Sequence, residues 1–165
     1  MNETLTFALL SFTSFFTLIN PLSTMPIFMT MTADLEHKNR VKTARKAVVI
    51  SFFTIIAFAL SGQLLFRFFG ISVNSFRNNA GHIIFLKGMD MLQARLNKVK
   101  VKESEVRKYV DDISITPLAI PMICGPGAIT NAIVLMEDAT HVGMVAALFA
   151  SIFAVLLLTY LILAS

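Results

Sequence analysis

Five stretches of mostly apolar residues dominate this chain, at residues 5–31, 47–69, 73–92, 113–136 and 142–164. Each is close to the roughly 20 residues that a helix needs to cross a bilayer. Lipid offers no hydrogen-bond partner to a backbone N–H or C=O, so such runs fold as helices that satisfy their own main chain. Charged residues make up 15% of the sequence, against about 25% in ordinary soluble domains. The expected fold class is therefore all-α, a polytopic transmembrane helical bundle, with residues 1–165 forming a single membrane domain. Met1-Asn2-Glu3 carries no positive charge ahead of the first run, and that run is too long for a cleavable signal peptide. A single cysteine, Cys124, excludes an internal disulfide and a dithiol redox pair.

The net charge of +4 does not point to nucleic acid, because the basic residues lie in short segments between apolar runs. Residues 34–46 hold Lys38, Arg40, Lys42, Arg45 and Lys46, and residues 93–112 hold Arg95, Lys98, Lys100, Lys102, Arg107 and Lys108. Together they carry 11 of the 14 Lys and Arg residues. Positive loops stay on the cytoplasmic side, which puts the N-terminus in the periplasm and makes 93–112 a basic cytoplasmic loop. The same rule decides the run at 73–92, which contains Asn74, Arg77, Asn78, Asn79, His82, Lys87 and Asp90. Unless it crosses, the second basic loop falls outside. Lys87 lies about 7–8 Å from the inner end at helical rise, within reach of the interface.

Two of the runs are interrupted in similar ways. Asn20-Pro21-Leu22-Ser23-Thr24-Met25-Pro26 breaks the first, and Gly125-Pro126-Gly127-Ala128-Ile129-Thr130-Asn131 breaks the fourth. A proline inside a helix removes a hydrogen bond and clashes with the preceding turn. The first run enters the membrane from outside and the fourth from inside, so the two breaks run in opposite directions. That is the pattern of an inverted repeat of three plus three spans, in which broken helices 1 and 4 frame a substrate site near the midplane. Residues 1–92 form the first repeat, and 113–165 form a partial second repeat with two spans. The sixth span is expected to lie outside this chain, which stops at Leu161-Ile162-Leu163-Ala164-Ser165 without a polar tail.

The breaks suggest chemistry of their own. Asn20 suits the cap of a half-helix starting at Pro21. Gly125 and Gly127 permit close backbone approach to a ligand. Half-helix ends at mid-membrane aim N–H groups and a positive dipole end at the cavity, which suits an anionic group such as an amino-acid carboxylate. Ser23, Thr24, Thr130 and Asn131 can orient the rest of a substrate. The plainer alternative is that Pro21 and Pro126 are packing kinks, since Pro and Gly are common in membrane helices. Cys124 reads as a small packing residue, and His82 as a packed polar group rather than a proton carrier. Gly143, Ala147 and Ser151 form a small-residue face for close helix packing, within the chain or between subunits. No His-Glu-x-x-His pair, defensible Ser/His/Asp order or Gly-Lys-Ser/Thr loop occurs, so neither an enzyme nor a cofactor is expected.

The segment from Phe16 to Phe28, centred on Asn20-Pro21-Leu22-Ser23-Thr24-Met25-Pro26, resembles the first-helix signature of the MarC family of bacterial inner-membrane proteins. Phe69-Gly70-Ile71-Ser72 with Phe76-Arg77 and Ala80-Gly81 resembles the start of that family's third helix. Pro117-Leu118-Ala119-Ile120-Pro121 with Gly125-Pro126-Gly127-Ala128-Ile129 resembles its fourth. The chain departs from the pattern at His82 and Lys87, where a small residue and an apolar run are expected. The resemblance implies six spans and, from members assigned as neutral amino-acid transporters, a small neutral amino acid or similar metabolite as substrate. The expected function is a secondary transporter of the inner membrane working by alternating access. Its expected partners are the lipid bilayer, the small-molecule substrate, a coupling ion (proton or sodium) and a second copy of the chain. A small-solute channel and an accessory protein without transport activity are the alternatives.

Overall fold

A computed structural model describes residues 3–69, Phe85, Met89 and 123–164. Apart from Phe85 and Met89, the expected third span at 73–92 lies outside the described residues, as do the basic loop at 93–112 and residues 113–122 of the fourth run. The described chain forms α1 (Glu3–Ile19), α2 (Pro21–Met31), α3 (His37–Phe69), α4 (Pro126–Asp138) and α5 (Val142–Ala164), with no strand among the described residues. Among the described residues, three stretches are long and apolar enough to cross a membrane: Glu3–Met31, His37–Gly62 and Val142–Ala164.

Local chemistry explains the boundaries. α2 ends at Thr32, whose N–H and hydroxyl both donate to Phe28 O, at 2.9 and 2.7 Å. The Leu35 N–H then donates to Thr32 O at 3.0 Å and turns the chain toward α3. α3 has 33 residues, about 50 Å at helical rise, whereas the hydrocarbon core is about 30 Å thick. Its basic first three turns, from His37 to Lys46, therefore extend past the apolar layer. Inside the helices, hydroxyls are returned to the backbone. Thr17 donates to Thr13 O, Thr54 to Ile50 O and Thr159 to Val155 O, each at 2.8 Å. This leaves no bare hydroxyl toward lipid at these positions.

α1 packs along α5, and α3 packs on both α4 and α5. Phe15, Ile19, Phe28, Ile55, Leu148, Ile152 and Leu156 are buried in the shared core. The small-residue face of α5 is used within the chain. Ser151 Oγ donates to Ala147 O at 2.8 Å and also reaches Ala8 O on α1 at 3.2 Å. A Cβ added at Gly143 would sit 3.8 Å from the Thr4 methyl of α1. At the same end, Thr4 Oγ1 and His141 Nε2 hydrogen-bond at 3.1 Å.

Gly62 sets the approach of α3 to α4. A Cβ there would lie 2.6 Å from Ile133 Cγ2 and 2.7 Å from Ile133 Cγ1. Both positions are buried, so the missing side chain at 62 is the space that Ile133 fills.

Candidate functional site

The first break turns on Asn20. Its φ of 44° and ψ of 67° are left-handed, and it is the only described non-glycine residue with positive φ. Asn tolerates this region because its short polar side chain can bond locally. Here Oδ1 accepts the Ser23 N–H at 3.3 Å, capping α2 as the sequence suggested. Asn20 O also accepts the Ser23 and Thr24 N–H groups, each at 3.1 Å. Pro21 has no N–H to donate, and the Thr24 hydroxyl bridges the gap by reaching Ile19 O at 3.2 Å and Asn20 O at 3.1 Å. Pro21 and Thr24 are buried, Asn20 is half-buried and Ser23 is exposed.

This geometry changes the electrostatic reading of the first break. The sequence suggests free N–H donors at the start of α2. In the structure Asn20 and its carbonyl occupy those of Ser23 and Thr24, leaving little donor capacity for a ligand.

The second break differs. Gly125 is extended, with φ −63° and ψ 171°, and supplies no side-chain cap to α4. Its carbonyl accepts the Ile129 N–H at 3.1 Å, an ordinary helical bond that leaves the N–H groups of Gly127 and Ala128 among the orphan donors of a helix start. Asn131 follows Gly127 by four residues and Ala128 by three, so all three share one face. Helical side chains lean toward the N-terminus, which carries the Asn131 amide back over that uncapped turn. Asn131 Nδ2 is enclosed by protein and has no hydrogen-bond partner among the described residues. Thr130 is buried at 7% exposure. Gly125 and Gly127 are half-buried, and Pro126 is exposed. Beside the break, Cys124 is a buried free thiol.

Among the described residues no hydrogen bond joins the two breaks. Their helices are nonetheless neighbours. α1 packs on α4, and Ile19 shares one buried cluster with Ala128 and Ala132. Ser11 of α1, fully buried, also has a hydroxyl without a partner among the described residues. No group of three or more His, Cys, Asp or Glu side chains converges among the described residues.

Residues 5–165 match the family described as "MarC family integral membrane protein". This chain belongs to the MarC family. Among similar proteins, UPF0056 membrane protein MJ1677 of Methanocaldococcus jannaschii is 35% identical over 162 residues, covering 98% of this chain and 79% of the relative. UPF0056 membrane protein YvbG of Bacillus subtilis is 37% identical over 153 residues, 91% of this chain and 72% of the relative. A UPF0056 membrane protein of Aquifex aeolicus is 34% identical over 145 residues, 87% of this chain and 68% of the relative. No solved structure matches. The family and the apolar helices together make this MarC protein an integral membrane protein.

Proposed function

We propose that this MarC protein is a secondary transporter that carries small neutral amino acids, or similar small metabolites, across the bacterial inner membrane. The observation that carries the reading is the Asn131 amide, enclosed without a partner above the uncapped start of α4. Leaving a buried donor unsatisfied costs about 1–3 kcal/mol, so the arrangement favours a ligand that accepts from it. A substrate carboxylate placed on the Gly127 and Ala128 N–H groups gains the positive end of the α4 dipole. Asn131 donates a further hydrogen bond, and Thr130 lies beside it. On this reading the first break contributes shape through Asn20, Pro21, Ser23 and Thr24, and most of the anion affinity comes from the second. Multi-pass topology with a periplasmic N-terminus makes the two Pro-headed segments members of an inverted repeat. Rocking one repeat against the other, coupled to a proton or sodium ion, gives alternating access.

Uptake by liposomes containing the full-length protein tests this. Small neutral amino acids are expected to exchange, and the corresponding amines, which lack the carboxylate, are expected not to compete. Gly127→Val crowds the backbone donors at the start of α4. Hydrogen bonds to charged groups contribute about 1.5–3 kcal/mol, so uptake should fall roughly ten- to hundredfold while membrane insertion is unchanged. If no neutral amino acid exchanges through correctly inserted protein, the reading is wrong.

A further inference from the structure

Away from both breaks, α3 and α5 enclose a groove of about 370 Å³, with Arg45, Phe52 and Phe53 on one wall and Phe153, Leu157 and Tyr160 on the other. The Phe52 and Phe153 rings meet edge to face, with centroids 6.2 Å apart. Arg45 lies seven residues before Phe52, and Tyr160 lies seven after Phe153. From the ring pair the lining continues back along α3 through Val49 and Val48 to Arg45 and onward along α5 through Leu156 and Leu157 to Tyr160, so the two helices run antiparallel here, and Arg45 and Tyr160 share one end about 10 Å from the ring pair. The groove is thus polar at one end and apolar along its length.

We propose that this groove binds one anionic phospholipid of the leaflet beside the basic start of α3. Arg45 is exposed and has no hydrogen bond or ion pair among the described residues. Its guanidinium fork matches phosphate geometry. Tyr160 is half-buried and places an amphipathic ring at the same level, as aromatic residues do at membrane interfaces. The lipid's phosphate occupies the Arg45–Tyr160 end, and one acyl chain runs down past Phe53 and Leu157, which are 66% and 45% exposed. This site is independent of the transport reading.

Native mass spectrometry of the full-length protein, with phosphatidylglycerol or phosphatidylcholine supplied in detergent, tests the proposal. One phosphatidylglycerol per chain is expected to persist, favoured about fivefold over phosphatidylcholine, the preference that one basic residue gives at an anionic surface. Arg45→Gln should remove that preference, and Lys38→Gln, on the same basic stretch, should keep it. Val49→Trp, which fills the groove wall, should release the lipid whatever its headgroup. Equal retention of both lipids by the unaltered protein would overturn the proposal, as would an Arg45→Gln protein that keeps the preference. So would a groove that holds no lipid because a further helix covers it, or because a second copy does, seen as a dimer that Val49→Trp dissociates.

Discussion

Asn131→Leu will leave the fold of this MarC protein as stable as before, or more stable, while removing most of its transport. The amide nitrogen at 131 is enclosed and has no partner among the described residues, and an orphan of that kind costs about 1–3 kcal/mol. Leucine has a similar size and no polar atom, so the substitution removes the cost without opening a cavity. The proposed substrate carboxylate, in contrast, loses a hydrogen bond to a charged group. That is worth about 1.5–3 kcal/mol, a drop of roughly ten- to hundredfold in apparent affinity. Thermal unfolding in detergent and uptake in liposomes measure the two halves separately. Normal uptake would remove Asn131 from the site. A large fall in thermal stability would mean that the amide has a structural partner.

Gly62→Val is expected to have the largest effect on assembly. A Cβ at 62 falls 2.6 Å from Ile133 Cγ2, and valine adds two methyl groups beyond it. Overpacking of this kind costs about 1–3 kcal/mol, because α3 must move off α4 or Ile133 must leave its rotamer. Ile133→Ala removes both γ carbons and leaves only Cβ, 3.1 Å from the added atom. Alone, it creates a cavity and costs about 2–5 kcal/mol. The Gly62→Ala and Ile133→Ala pair should therefore be less destabilised than the sum of the single changes, by about 0.5–3 kcal/mol. Additive losses in the melting of the purified protein would show that the two positions do not share the space.

Much of this architecture can be read directly from residue type. The apolar runs at 5–31, 47–69 and 142–164 correspond to the three stretches able to cross a membrane among the described residues, because length and hydropathy are properties of the sequence itself. The helix starts at Pro21 and Pro126 were legible for the same reason. Proline lacks an N–H wherever it stands, and it is tolerated in a first turn. Proline alone does not end a helix, however, since Pro26 lies inside α2.

What sequence could not supply depends on neighbours. Asn20 is readable as a cap, but not as a left-handed residue whose own atoms occupy the Ser23 and Thr24 donors of α2. The lone Gly62 in an apolar run reads as a weak helix former until Ile133 is seen against it. The position of Asn131 was visible, whereas its lack of a partner depends on what surrounds it. Likewise the groove at Arg45 requires knowing that α3 and α5 lie side by side. The expectations for His82, Lys87 and the third span fall outside the described residues.

If both breaks line one substrate site, bound substrate will shield thiols placed at either of them from alkylation. Ser23→Cys and Thr130→Cys, each in full-length protein carrying Cys124→Ser, would be alkylated in liposomes with and without a transported neutral amino acid. The same amino acid is expected to slow labelling at both positions, with one shared half-saturating concentration. Protection at neither position, in protein that still takes up the amino acid, would contradict it.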